Sequence, residues 1–340
     1  MKYSIDKILS IYKLEIGYTS GKSRKVILPP LDAVAGKGEL IAIIGRNGIG
    51  KSTLLRTLTG LQPLLSGSIH LYGKNISEYS RIDLAREVGY ISTEIVKVSN
   101  MKVYDLVALG RFPHTNWIGK IEPEDDKIIK DAIGKTSMSV FCNKFVSELS
   151  DGERQKVMIA RILAQDTGIM IMDEPTAFLD IGSKYEILHL LHQLSRKSRK
   201  TIIFSTHDLQ MAVSQADKIW LILDDRLIQG SPEDLIVNGS FDHLFDSSPV
   251  KFNTENGTFT FRGEARGLYY IEGEGINLHW TEEAIKRSGF GISEIKKLPY
   301  IKILTGNKNK WQFVTESENI GFDSIYELIL YLSSLQDHPN

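Results

Sequence analysis

The first 240 residues alternate short apolar runs with stretches of helical period. Glu39–Ile44, Ile169–Met172 and Thr201–Ser205 are near-continuous apolar runs bounded by polar or Gly-containing segments. Such runs predict strands covered by helices on both faces, and their alternation with helical stretches predicts an α/β unit with a largely parallel sheet. Between residues 75 and 150 the pattern turns helical and irregular. Lys102–Arg111 and Pro123–Ile133 read as helices, with Gly119 and Pro123 punctuating their connection. This stretch, about residues 94–160, reads as a helical insertion in the α/β core.

Past residue 240 the texture changes. Phe252–Phe261 alternates aromatic positions around Asn256-Gly257, a hairpin signal. Tyr269–Ile271 and Ile276–Trp280 flank a Glu272–Gly275 turn, and Thr281 is placed to cap a helix running to about Ser288, with Gly289 as its stop. Tyr300–Leu304 and Trp311–Thr315 surround Gly306–Asn309 as another hairpin. In the final helix Ser324 and Glu327 form a capping box, and Ile325, Leu328, Ile329 and Leu332 line one apolar stripe. Residues 250–340 therefore read as a small α+β domain behind a 1–240 α/β domain.

Composition narrows the function classes. A chain of 340 residues with 42% hydrophobic and 24% charged residues fits two globular domains rather than disorder. Residues 1–240 carry 31 Lys and Arg against 28 Asp and Glu, net +3, and residues 241–340 carry 10 against 14, net −4. Neither part is the basic module that backbone-driven nucleic-acid binding requires. The single cysteine, Cys142, excludes an internal disulfide framework and fits a reducing compartment. Met1–Lys7 has no signal-peptide core, and the apolar runs fall far short of the roughly 20 residues of a bilayer-spanning helix. A soluble intracellular chain is expected.

Gly45-Arg-Asn-Gly-Ile-Gly-Lys51-Ser52-Thr53 fulfils G-x-x-x-x-G-K-[ST] between a strand and a helical run to about Leu61. Gly45, Gly48 and Gly50 let the backbone wrap a phosphate with its N–H groups pointing inward, and the helix N-terminus adds a favourable dipole. Asn47 and Thr53 belong to the same cradle. Lys51 offers a point charge to the β- and γ-phosphates, and Ser52 a ligand to Mg²⁺. The bland alternative, a Gly-rich turn with an incidental lysine, does not need that strand–loop–helix context.

The strand Ile169–Met172 ends in Asp173-Glu174-Pro175. Asp173, at the strand's C-terminal end, is placed to hold Mg²⁺ through water, and Glu174 to orient or deprotonate an attacking water. Alone, such a pair also reads as a solubilising cap; the phosphate loop some 120 residues earlier favours chemistry.

With these in place the chain resembles the nucleotide-binding subunits of ABC transporters, whose fold is a P-loop NTPase core with a helical signature subdomain. Leu149-Ser-Asp-Gly-Glu-Arg-Gln155 is similar to that family's signature motif, with Asp151 where Gly is commonest and Glu153 where Gln is commonest. Ser150 and Gly152 stand at the positions the family uses to reach a γ-phosphate, and the helix start behind them is physically a second anion site. The competing reading is an ordinary Ser N-cap. The resemblance implies a head-to-tail homodimer with two ATPs between the faces bearing Gly48 and Ser150. It further implies that Tyr18 stacks on adenine, that Asp180 in Ala177-Phe-Leu-Asp180 couples the two sites, and that His207 contacts the γ-phosphate and attacking water. Where the family usually places a Gln that touches Mg²⁺, this chain has Thr93, followed by Glu94.

Leu106–His114 and Leu149–Arg161 resemble the importers of iron-siderophore, haem and cobalamin complexes. That resemblance implies an ATPase (ATP and Mg²⁺ as nucleotide and cofactor) peripheral on the inner face of the membrane, a separate permease, and an extracytoplasmic substrate-binding protein. Phe112, Trp117 and Ile118 lie where a permease helix would dock, or else pack inside the helical subdomain. For the tail, His279, Trp280 and Glu272–Gly275 read as surface or core more readily than as ligand contacts, and a regulatory or dimer-bracing role rests on analogy. The alternative is a soluble ABC-type ATPase acting on ribosomes or DNA. One set of motifs, no sustained heptads and an acidic tail speak against it.

Overall fold

The computed structural model describes residues 6–337 except 22, 94–99, 117–118, 247–249, 254–256, 262–264 and 305–309. The chain divides into two compact units, residues 1–246 and 247–340.

In the first unit the elements are β1 (Lys7–Ser20), β2 (Ser23–Gly36), β3 (Leu40–Gly45), α1 (Lys51–Leu58), β4 (Ser66–Leu71), β5 (Lys74–Asn75), α2 (Arg81–Glu87), β6 (Val88–Ile91), α3 (Val103–Ala108), α4 (Pro123–Lys135), α5 (Asp151–Ala164), β7 (Ile169–Met172), α6 (Ile181–Ser198), β8 (Thr201–Ser205), α7 (Leu209–Gln215), β9 (Lys218–Ile222), β10 (Leu227–Gly230) and α8 (Pro232–Val237). Among the described residues six strands form one sheet in the order β10-β9-β3-β8-β7-β6, parallel except for the hairpin strand β10. β3, β7 and β8 are buried along their whole lengths, as their unbroken apolar runs require. β2-β1-β4-β5 make an antiparallel sheet, and one core joins it to β3 and to Leu54, Leu55 and Leu58 of α1.

The parallel order has a functional consequence. The loops leaving the C-terminal ends of β3, β8, β7 and β6 lie in adjacent lanes, and that edge is where parallel sheets place their ligands. α3, α4 and α5 pack on one another as the helical insertion. The expected helix Lys102–Arg111 is shorter, ending at Ala108 and tightening into a 3₁₀ segment, Leu109–His114, that contains Pro113. Arg111 on that segment is buried; its Nε donates to Asp125 Oδ1 at 2.8 Å and its guanidinium to the Ala164 carbonyl at 2.9 Å. Asp125 in turn accepts from the Glu122 N–H at the start of α4, so one buried ion pair pins the 3₁₀ segment, α4 and the end of α5.

The second unit has a hairpin of β11 (Val250–Asn253) and β12 (Thr258–Phe261), then β13 (Leu268–Tyr269), β14 (Ile271–Glu272), α9 (Gly275–Arg287), β15 (Gly291–Ile292), β16 (Tyr300–Ile303), β17 (Trp311–Val314), β18 (Asn319–Phe322) and α10 (Ile325–Asp337). β14-β16-β17-β18 form a mixed sheet whose core holds Ile285 of α9, Phe313, and Leu328 and Leu332 of α10. Here the structure departs from the sequence pattern. Ile276–Trp280 lies inside α9, which begins at Gly275, so Thr281 is a mid-helix residue rather than a cap. Thr281 is fully buried, and its hydroxyl donates to the Asn277 carbonyl and accepts from Trp311 Nε1 at 2.9 Å. Ser324 caps α10 as expected, accepting from the Glu327 N–H. Gly306–Asn309 lies outside the described residues.

Candidate active site

The phosphate loop spans Gly45, the last residue of β3, to Lys51, the first of α1. Gly48 and Gly50 adopt φ of +77° and +115°, values that L side chains rarely tolerate. Gly50 is the N-cap of α1 and has no side chain to cap with, so no capping side chain takes up the first N–H groups of the helix. Lys51 is buried and folds back over its own loop, donating to the Gly45 carbonyl at 2.8 Å and the Arg46 carbonyl at 3.1 Å. Burial lowers its pKa, opposed by the nearby charges of Glu174 and Asp173. Ser52 follows on the exposed side, and Thr53 Oγ1 lies 3.2 Å from the hydroxyl of the half-exposed Tyr18 at the end of β1.

Asp173 and Glu174 leave the end of β7. The Asp173 N–H donates to the Ile91 carbonyl at 2.9 Å, and Thr93 Oγ1 donates to the Asp173 carbonyl at 3.2 Å. Glu174 takes a left-handed φ of +49°. Its carboxylate Oε1 pairs with His207 Nε2, and His207 Nδ1 lies 3.5 Å from Lys51 Nζ. A lysine ammonium only donates and a carboxylate only accepts, so the imidazole tautomer that satisfies both contacts is the one with its hydrogen on Nε2. The structure thus brings Lys51, His207 and Glu174 into one contact chain across the β3, β8 and β7 lanes. Ser205, the last residue of β8, bridges both acids: its hydroxyl donates to Asp173 Oδ1 at 2.7 Å and accepts from the Glu174 N–H at 2.9 Å. Ser205 opens the Ser-Thr-His-Asp208 segment that carries His207, but its own sequence signal is only a hydroxyl at the end of a buried apolar strand.

The second set of residues gathers elsewhere in the unit. Ser150 caps α5 in a capping box, accepting from the Glu153 N–H while its own hydroxyl donates to Glu153 Oε2 at 2.9 Å. The Ser150 N–H and hydroxyl hold the Glu153 carboxyl below the usual carboxylate range. Asp180 caps α6, accepting from the Ser183 N–H at 3.0 Å and the Ser183 hydroxyl at 2.7 Å, and those bonds hold its pKa low. Gly152 is where the two helix starts meet, because a Cβ there would lie 2.8 Å from Ser183 Oγ. No hydrogen bond joins Ser150, Gly152 or Asp180 to the phosphate loop among the described residues. Phe112 is exposed; Glu94, Trp117 and Ile118 lie outside the described residues.

A divalent ion fits the chemistry of the donor set. Among the described residues no three His, Cys, Asp or Glu cluster as a closed cage. Mg²⁺ asks for only one or two hard protein oxygens beside substrate phosphates and water. Ser52 would supply one and Asp173 another through Oδ2, since the Ser205 hydroxyl engages Oδ1.

A phosphate loop at the end of the central parallel strand β3, with an acid pair at the end of β7 two lanes away, defines a P-loop ATPase. Residues 30–177 match the family "ABC transporter", and residues 266–333 match "Iron ABC transporter C-terminal domain". An uncharacterised ABC transporter ATP-binding protein of Methanocaldococcus jannaschii is 36% identical over 82% of this chain and 96% of its own length. The achromobactin transport ATP-binding protein of Dickeya dadantii is 36% identical over 66% of this chain and 82% of its own. The iron(3+)-hydroxamate import ATP-binding protein of Bacillus subtilis is 38% identical over 60% and 74%. Among solved structures, a chain of a transporter assigned to the metal-chelate type, in an inward-facing conformation, superposes with a TM-score of 0.62 at 25% identity, covering 75% of this chain and 95% of that one. The chain belongs to the ATP-binding subunits of ABC transporters. It is an ATPase whose hydrolysis is coupled to transport, and no helix among the described residues is long and apolar enough to cross a membrane.

Proposed function

We propose that this chain is the energy-coupling subunit of an importer of metal chelates of the iron-siderophore, haem or cobalamin type. In this reading it works as a homodimer on the inner face of the membrane, below a separate permease fed by an extracytoplasmic substrate-binding protein. The contact chain Glu174–His207–Lys51 beside the phosphate loop carries the hydrolytic part. The C-terminal match to iron transporters and the relatives that import iron(3+)-hydroxamate and achromobactin support the cargo class.

In the proposed cycle the triphosphate enters the cradle of Gly45, Asn47, Gly48 and Gly50, with Tyr18 against the adenine. Lys51 exchanges the Gly45 and Arg46 carbonyls for the β- and γ-phosphates. Ser52 and Asp173 would hold Mg²⁺, with Thr93 as a neighbouring oxygen, and the ion supplies charge neutralisation on the phosphate oxygens when bound. Ser150 and Gly152 of the partner copy close over the γ-phosphate, Ser150 turning its hydroxyl from Glu153. Glu174 takes a proton from the attacking water as its oxygen bonds to the γ-phosphorus and the bond from that phosphorus to the bridging oxygen breaks, releasing ADP; His207, released from Glu174, hydrogen-bonds the γ-phosphate oxygens through Nε2–H. Asp180 relays closure between the two sites.

Glu174→Gln tests this directly. It keeps the shape and removes the base, so turnover should fall about 10²- to 10⁴-fold while an ATP-bound dimer accumulates on size exclusion. Unchanged turnover removes Glu174 from the mechanism. Uptake of ⁵⁵Fe-labelled siderophores and haem and of ⁵⁷Co-labelled cobalamin in a strain lacking this chain tests the cargo, and normal uptake of all of them refutes it.

A further inference from the structure

We propose that Ser205 is a positioning residue for hydrolysis, its one buried hydroxyl setting the two acids Asp173 and Glu174 relative to each other. The proposal rests on the reading above, in which those acids serve the metal–nucleotide and the attacking water.

The register makes the bridge possible. β7 and β8 run parallel with Met172 opposite Phe204, so the residue after β7 is level with Ser205. Ser205 has no exposed surface, and its neighbours in the strand are Ile202, Ile203 and Phe204, so the sheet gains nothing from a polar group there. A buried hydroxyl costs free energy unless it is bonded, and this one is bonded twice, both times to the acid pair. Its single proton goes to Asp173 Oδ1, which fixes the carboxylate and leaves Oδ2 for a ligand. Its lone pair takes the N–H of Glu174, a residue in a left-handed conformation that persists only when its surroundings over-determine it. Ile91 and Thr93 hold the Asp173 N–H and carbonyl. Among the described residues, the side chain hydrogen-bonded to both acids is that of Ser205. Motion of its hydroxyl therefore displaces the base and the metal carboxylate together.

The test uses the full chain with Ser205→Ala and Ser205→Thr, beside Glu174→Gln as control. Loss of a supporting hydroxyl behind a metal carboxylate typically costs about 10- to 100-fold in activity or metal affinity. Ser205→Ala should therefore lower kcat by about that factor, with KM for ATP changed far less, since the cradle is untouched. Mn²⁺ retained with ATP, read by electron paramagnetic resonance without turnover, should weaken similarly, and Ser205→Thr should restore both. Wild-type turnover and Mn²⁺ affinity in Ser205→Ala overturn the proposal, as does a loss that Thr does not restore. Should Ser205→Ala not fold, Ser205→Cys, close in size and a weak donor, is judged by the same two readouts. If Glu174→Gln keeps wild-type turnover, the hydrolytic reading itself falls; if it is inactive while Ser205→Ala is not, only the role of Ser205 falls.

Discussion

Gly50 shows how sharply one backbone position controls the candidate site. At φ +115°, an added Cβ would stand 2.6 Å from Ile27 Cγ2 on β2, so a side chain strains the loop and pushes on its support together. Gly50→Ala should weaken ATP binding at least tenfold by calorimetry, at a stability cost of about 1–3 kcal/mol. The capping acids Glu153 and Asp180 are governed by pH instead. Their folded pKa values are depressed, so the stability they lend to α5 and α6 is present at neutral pH and lost as pH falls through those lowered values. At this scale the phosphate loop and the acid pair were legible because glycine, lysine and carboxylate at fixed spacing have few other uses. Ser205 was not legible, because a serine closing an apolar strand looks like a strand end until the neighbouring strand's register is known.

At the level of elements, the reading succeeded where one period dominated and failed where two overlapped. β7 and β8 are unbroken apolar runs with one interpretation. Ile276, Leu278 and Trp280 alternate as in a strand, yet Ile276 and Trp280 are also four apart, as on a helix, and the structure takes the helix. What decides is tertiary: α9 carries Ile285 into the second unit's core and brings Thr281 under Trp311. Thr281→Val leaves Trp311 Nε1 buried without its acceptor. It should destabilise the second unit by about 1–3 kcal/mol, seen as an earlier urea transition in tryptophan fluorescence, with ATP binding unchanged.

For the whole molecule, each unit has its own apolar core, the larger around β3 and α1, the smaller around Phe313 and Leu328. Removing residues 247–340 should therefore leave ATP binding within about twofold while altering the hydrolysis rate or its control; loss of binding would show that the first unit depends on the second. The change of texture near residue 240 made two parts visible in the sequence, but no motif in the smaller part spoke of chemistry. Lys51 has a further bearing on the working cycle. Its ammonium rests on two main-chain oxygens that it would surrender to the triphosphate and recover afterwards. In the proposed cycle the triphosphate would therefore meet an ammonium already partly stripped of water by burial, trading acceptor for acceptor instead of desolvating a free cation.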